Sequence, residues 1–391
     1  MTGIIIILTG IIAFSCKKEV LSMSRNLAII GASYLQLPLI EKAKEMGYTT
    51  HVFAWAAGDV GEKAADHFYP ISIVEKDEIL SVCRSVNICG ICSIASDLAM
   101  VTVNYVAEAL GLFGNSMEAT AKSTNKYLMR RAFAENGDPS PKSILVDQYT
   151  DLNALDLTYP VIVKPTDRSG SRGIFKLEYC AGLREAVSAA MNQGFEGKAL
   201  IEEYAEGEEF SVEYISYRGE HHFLALTKKY TTGAPYFIET GHMEPALVTQ
   251  EVYSRIKKIV PHALDSLGVQ NGASHTELKI ASDGTIRLIE IGGRMGGDCI
   301  GSDLVRYSTG LDYVRMVIDV ACGNPPDFTP VQEPCHIAIK YVFCREDMEE
   351  FERLRREEPE RIVRIVDKIE PEKFSGITDS SNRAGCYLYR L

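Results

Sequence analysis

Two glutamates in the stretch TELKIASDGTIRLIEI face each other if the chain folds as its turn signal directs. Asp283-Gly284 is the strongest short-range mark of a two-residue hairpin, a turn whose central positions both need a positive φ. With that turn, Ser282 pairs with Thr285 and Ala281 with Ile286, and counting outward sets Glu277 directly opposite Glu290. Like charges opposed on one face of a ladder cost a few tenths to about 1 kcal/mol unless something lies between them. A divalent cation resolves the conflict, since Mg²⁺ takes one or two carboxylates and fills its shell with water and phosphate oxygens. Gly292-Gly293-Arg294 follows, where backbone and a guanidinium can approach an anion. The competing reading is a solvated hairpin face on which Lys279 neutralises one carboxylate, and the hairpin alone does not separate the two.

The rest of the chain has to position such a site. Its 391 residues allow two or three domains with ample core, and the composition, 46% hydrophobic and 24% charged, is that of a globular protein. A net charge of −12 argues against nucleic acid as a partner, because backbone binding needs a basic surface. Ten cysteines without framework spacing fit free thiols, and Cys89-Gly-Ile-Cys92 lies in an apolar run that reads as a buried strand. The opening IIIILTGIIAFSCKKE is too short to span a bilayer and has no basic residue before it. Ser15-Cys16 resembles a lipoprotein cleavage site, whereas Met23 opens MSRNLAIIGAS, a natural start in its own right. An over-extended start or a vestigial segment over residues 1–22 is the preferred reading.

From Asn26 the pattern is strand, turn at Gly31, helix from Leu37 to Met46 closed by Gly47, then the strand YTTHVFAW. A further strand, ICGICSIAS, precedes the helix DLAMVTVNYVAEALG. This is a parallel αβ domain over 23–114, without the second and third glycines of a dinucleotide fingerprint. Residues 118–136 read as one helix carrying Lys126. YPVIVKPTDRSGSRGIFKLEY reads as strand, loop and strand, with Lys164 at the end of the first strand. Small residues in the loop can turn amides toward an anion. A helix over 181–193, the strand KALIEEYAE, a hairpin turning at Arg218-Gly219, a helix over 251–268 and the helix GLDYVRMVIDVACG follow. After Pro325-Pro326 comes a region with the strand HIAIKYVF and a charged, solvated helix.

In this order, TNKYLMRRAF, YPVIVKPTDRSGSRGI, IEEYAEGEEFSVEY and HTELKI…LIEIGGRMGGD, behind an αβ domain, resemble the ATP-grasp superfamily over roughly residues 25–330. The resemblance implies an α/β chain (α+β in the ATP-grasp part). An N-terminal parallel pre-ATP-grasp domain (23–114) would precede an ATP-grasp domain (115–325) with a lid at about 140–205, and a C-terminal α+β region (326–391) would close the chain. Lys126 and Lys164 then match lysines on ATP phosphates, and Ser169, Gly170 and Ser171 the mobile loop above them. Glu202, Glu203 and Ala205 match the hinge that reads adenine, and Glu209 the acceptor of the ribose hydroxyls. Glu277 and Glu290 match the carboxylates that hold Mg²⁺ (or Mn²⁺), and Arg294 the arginine at the reacting phosphate. One position departs: where the family usually has a metal-ligating Asn, this chain has Gly292.

What the resemblance implies is phosphorylation of a substrate carboxylate by ATP and capture of the acyl phosphate by an amine, giving an amide, ADP and phosphate. GGRMGGD and ETGHMEPAL look most like the amino-acid ligases. His242 is expected to position a substrate carboxylate and Asp298 an ammonium, while His275 is left without a role. Alternatives are a purine-pathway or biotin-carboxylase-like enzyme and, in another class, a non-catalytic ATP-binding sensor. Small carboxylate and amine substrates are the expected partners, with a homodimer left open. The expected location is cytoplasmic, or membrane-anchored if Cys16 is lipidated.

Overall fold

The structure, a computed structural model, describes residues 25–168, 170, 172–374 and 382–391. The segment 1–22 and Cys16 therefore lie outside the described residues. In chain order the first unit is Asn26–Ile30 (β1), Leu37–Glu45 (α1), Thr49–Phe53 (β2), Val60–Ala64 (α2), His67–Tyr69 (β3), Lys76–Val86 (α3), Gly90–Cys92 (β4) and Asp97–Leu110 (α4). The four strands form a parallel sheet in the order β3-β2-β1-β4. The period of two along β1 sends Leu27 and Ile29 into one core with Leu39 and Ile40 of α1. Ala28 and Ile30 go into another with Ile79 of α3 and Val103 of α4. The sequence reading passed over α2, α3 and β3; β3 is a three-residue edge strand with no fully buried residue, too short to leave a pattern.

The single helix expected over 118–136 is two, Met117–Thr124 (α5) and Lys126–Asn136 (α6). Asn125 between them is extended (φ −117, ψ 115), and its side chain accepts from the amides of Tyr127 and Leu128 at 3.0 and 3.1 Å. An Asn cap contributes about 1 kcal/mol to the helix that it starts. The break puts Lys126 at the first position of α6, where its amide donates to Thr166 O at 2.8 Å.

Ser143–Val146 (β5), Val161–Pro165 (β6), Phe175–Leu177 (β7), Leu183–Gln193 (α7) and Ala199–Glu203 (β8) make a small antiparallel sheet, β5-β8-β6-β7, with α7 packed on one face. The remainder comprises Glu208–Tyr217 (β9), Glu220–Thr231 (β10), Glu239–Glu244 (β11), Gln250–Leu267 (α8), Gly272–Ile280 (β12), Ile286–Gly292 (β13), Val305–Thr309 (α9), Tyr313–Ala321 (α10), Ile337–Val342 (β14), Arg345–Glu357 (α11), Ile362–Asp367 (β15) and Gly385–Arg390 (β16). Its strands form one antiparallel sheet, β13-β12-β9-β10-β11-β14-β16-β15, so the C-terminal strands extend the sheet. The expected class, a parallel αβ unit followed by α+β layers, is the one observed. The helix α10 joins the two: all but one of its residues are buried, and it shares a core with β1, α1, β9 and β12.

Glu244 on β11 is fully buried and accepts hydrogen bonds from Thr227 and Ser308, both at 2.5 Å. Burial pushes its carboxyl up to about 8, against the pull of those hydroxyls. The folded state therefore holds a proton that the unfolded chain releases near 4.5. This contribution to stability is complete below the unfolded value and is lost as pH rises toward 8, at up to about 1.4 kcal/mol per pH unit. Glu244→Gln, which keeps the shape and cannot ionise, is expected to gain thermal midpoint relative to the parent as pH goes from 5 to 8. A difference between the two proteins that stays constant over that range contradicts this reading.

Candidate active site

The carboxylate pair forms, by a route other than the one expected. Ala281 N donates to Thr285 O and Gly284 N to Ala281 O, both at 2.9 Å, and Gly284 has φ +81 while Asp283 is not at positive φ. The loop is thus three residues, Ser282 to Gly284, a type I turn closed by a left-handed glycine. Near the turn the register is one residue away from the expected one, Ile280 facing Ile286 and Leu278 facing Leu288. A bulge at Ile289 then shifts it back, so Glu277 faces Glu290. The carbonyl of Ile289 accepts from Arg130 Nη2 at 2.6 Å.

Neither carboxylate is left to repel the other, and Lys279 neutralises neither; it lies over the Tyr204 ring at 5.1 Å. Lys229 Nζ is 2.6 Å from Glu277, and Lys126 Nζ is 2.8 Å from Glu290. Lys229 is buried among Glu277, Glu209 at 3.2 Å and Glu239 at 3.6 Å. Burial works against its charge, but the three carboxylates outweigh it and hold the ammonium well above the usual lysine range. Burial likewise pushes Glu277 up, and Lys229 with His275 overrides it to hold the carboxyl well below its usual range. Ladder pairing puts these side chains in rows: Glu290, Glu277 and Ser211 across β13-β12-β9, and Glu209, Lys229 and His242 across β9-β10-β11.

His275, given no role from sequence, bridges Glu213 through Nδ1 and lies 3.5 Å from Glu277 through Nε2. The other Glu213 oxygen accepts from Gly296 N at 2.9 Å. Burial lowers the imidazole pKa, but the two carboxylates outweigh it and the net shift is upward. This links the turn after β13 to the back of Glu277.

Arg294 is clamped by Asp97, the first residue of α4, with Nε to Oδ1 at 2.8 Å and Nη2 to Oδ2 at 3.1 Å. Burial pushes Asp97 up, but Arg294 outweighs it and holds the carboxyl low. The clamp accounts for Gly292. A Cβ there would lie 2.8 Å from Asp97 Oδ1 and 3.1 Å from Arg294 Nε, so any side chain meets the ion pair. The space that a metal-ligating Asn would need belongs to Asp97.

On the small sheet, Lys164 Nζ is 2.7 Å from Glu202 Oε2, and Arg130 Nε is 2.8 Å from Oε1, all three buried. Burial pulls the Lys164 ammonium below its usual range, against Glu202. Glu203 points the other way, exposed, with its carboxylate accepting from Lys142 N at 3.2 Å. Ala205 lies in the connection from β8 to β9. Of the loop, Gly170 is described (φ +73), and Ser169 and Ser171 lie outside the described residues. Lys126 touches both layers, since its Nζ also donates to Arg168 O at 2.7 Å.

His242 and Asp298 come together, with Nε2 3.9 Å from Oδ2. His242 is fully buried, and neither ring nitrogen has a hydrogen-bond partner. Both Asp298 oxygens accept from Arg383, at 3.0 and 2.9 Å, and Arg383 stacks 3.7 Å over Tyr341. The ammonium expected at Asp298 therefore faces a resident guanidinium. Lys229, Asp97, Arg130, Glu213 and Arg383 were not singled out from sequence. Among the described residues no group of three or more His, Cys, Asp and Glu side chains is arranged to hold a metal. Two opposed carboxylates fit Mg²⁺ only where water and phosphate oxygens complete its shell. Two clefts, one beside His222 and Phe328 and one beside Leu155 and Arg184, lie away from these groups.

Residues 157–303 match the ATP-grasp domain family. The chain carries an ATP-grasp domain and is distantly homologous to the amino-acid ligases. It is 26% identical over 276 residues to the alanine–anticapsin ligase of Bacillus subtilis, covering 63% of this chain and 58% of that one. Dapdiamide A synthase of Enterobacter agglomerans is 30% identical over 214 residues, 52% of this chain and 50% of its own. The chain thus spans little more than half the length of these relatives. The crystal structure of the L-amino acid ligase from Bacillus licheniformis superposes with a TM-score of 0.78 at 23% identity, covering 93% of each chain, a likeness of fold. No helix among the described residues is long and apolar enough to cross a membrane.

Proposed function

We propose that the chain is an ATP-dependent carboxylate–amine ligase that activates a carboxylate, in the first instance that of an amino acid, as an acyl phosphate and passes it to an amine with release of ADP and phosphate. The observation that carries this reading is the convergence of Glu277, Glu290, Lys126, Lys229 and Arg294 from four separate segments, α6, β10, β12 and β13 with the turn that follows it. In this reading the domains are 23–114, 115–325 with a lid at about 140–205, and 326–391.

Glu277 and Glu290 hold Mg²⁺ (or Mn²⁺), which screens the phosphates when bound. Lys126 and Lys164 bind phosphate oxygens, giving up part of their present contacts with Glu290 and Glu202. Ser169, Gly170 and Ser171 close over them and exclude the water that would hydrolyse an acyl phosphate. Glu202, Glu203 and Ala205 form the adenine hinge, and Glu209 accepts from the ribose. Arg294, aimed by Asp97, meets charge on the transferring phosphoryl group. A protein that merely binds nucleotide has no need of that aim. His242, with two ring nitrogens free, positions the substrate carboxylate. Asp298 is assigned to the substrate ammonium, which would share its carboxylate with Arg383.

The test is a phosphate-release screen with Mg²⁺–ATP over amino acids singly and in pairs. Release by a pair above either member alone is the expected result. No release by any carboxylate, with ATP bound, contradicts the ligase reading and favours the sensor.

A further inference from the structure

We propose that Cys89 and Cys322 form an oxidisable dithiol, a modification site at which a peroxide converts the two thiols to a disulfide tying the first sheet to α10. Cys89 immediately precedes β4, and Cys322 caps the C-terminus of α10. Their sulfurs are 3.9 Å apart across 233 positions of chain, and both residues are half-buried, within reach of a small oxidant. A disulfide needs about 2.05 Å, so the sulfurs close by roughly 2 Å.

The contact is built into the backbone. A Cβ on Gly90 would lie 2.7 Å from Ala321 O and 2.9 Å from Cys322 Sγ, so only glycine lets the strand come this close to the helix end. Cys89 Sγ is also fixed by its hydrogen bond to Asn26 O at 3.2 Å. The Cys322 thiol, followed by the Cys89 backbone and then Arg25, lowers the Cys89 pKa against the effect of burial; this and the 3.9 Å contact assign Cys89 as the attacking sulfur. Cys83, Cys92 and Cys299, by contrast, are fully buried, and burial pushes their thiols up.

The Cys89 thiolate attacks hydrogen peroxide; the S–O bond forms, the O–O bond breaks, and the hydroxide released takes up a proton as water. The Cys322 sulfur then displaces the hydroxyl of the sulfenic acid, the S–S bond forms, and the thiol proton leaves with that hydroxide as a second water. Two electrons pass from the sulfurs to one peroxide. The bond fixes α10 to the strand that leads through Ser96 to Asp97, the residue that clamps Arg294.

The test treats the reduced full-length protein with hydrogen peroxide, blocks remaining thiols with N-ethylmaleimide and maps cysteine peptides by mass spectrometry. A Cys89–Cys322 cross-linked peptide that dithiothreitol reverses, with both sites lost to alkylation, is expected. Cys322→Ser should lack the cross-link and instead accumulate a dimedone adduct on Cys89; Cys89→Ser should leave Cys322 alkylated. Full alkylation of Cys89 and Cys322 in the parent after the exposed Cys180 has been oxidised overturns the proposal. So does pairing of Cys89 with other cysteines as often as with Cys322.

Discussion

Glu290→Gln is expected to lower turnover by roughly two to three orders of magnitude, the size of loss seen when one preorganised charged contact to a reacting centre is removed. The geometry also sets the sign of its effect on the ligand-free protein. An isolated pair of opposed glutamates would be relieved by the substitution, but Glu290 balances Lys126, whose side chain is only 7% exposed. Removing the charge leaves that ammonium with Arg168 O and a neutral amide, so the thermal midpoint should fall, by an amount corresponding to about 1.5 kcal/mol. Calorimetry should also show that Mg²⁺ no longer improves nucleotide affinity as it does for the parent. A variant that keeps more than a tenth of the parent rate contradicts the role of Glu290.

Gly292→Asn restores the residue more common in the superfamily, and it is expected to damage the enzyme. Its Cβ would lie 2.8 Å from Asp97 Oδ1, too close for any real contact, so the Asp97–Arg294 clamp must move. A displacement of about 1 Å in a group at the reacting centre costs on the order of 100-fold in rate, and the loss should fall on kcat more than on nucleotide binding. Asp97→Ala makes room and removes the clamp at once. The double variant should therefore be no worse than Asp97→Ala alone, a non-additivity expected of residues in contact. A Gly292→Asn protein with parent kcat, or tighter metal binding, means that Asp97 does not own that space.

The order of strands and helices, and the opposition of Glu277 and Glu290, were legible because both rest on local signals: turns, caps and periodicity. The glutamate register came out right through two departures that cancel, a three-residue loop and the bulge at Ile289, neither of which the sequence marks. The same kind of irregularity hid Lys229. Counting outward from the Arg218-Gly219 turn sets Lys228 against Glu209, but an irregularity between Phe223 and Ala225 brings Lys229 there instead. The break at Asn125 was readable in hindsight from Ser123-Thr124-Asn125, three capping residues in a row within a supposed helix. Asp97 was not: it and Arg294 are 197 positions apart and meet only because α10 closes the first sheet onto the large one.

The most direct test of the central claim follows oxygen. A productive amino-acid pair from the phosphate-release screen is run with the donor's carboxylate labelled with ¹⁸O, and the phosphorus products are read by ³¹P NMR. Attack of the carboxylate on the terminal phosphate carries one labelled oxygen into inorganic phosphate, with ADP as the other product. Label appearing in AMP, with pyrophosphate released, would contradict the account.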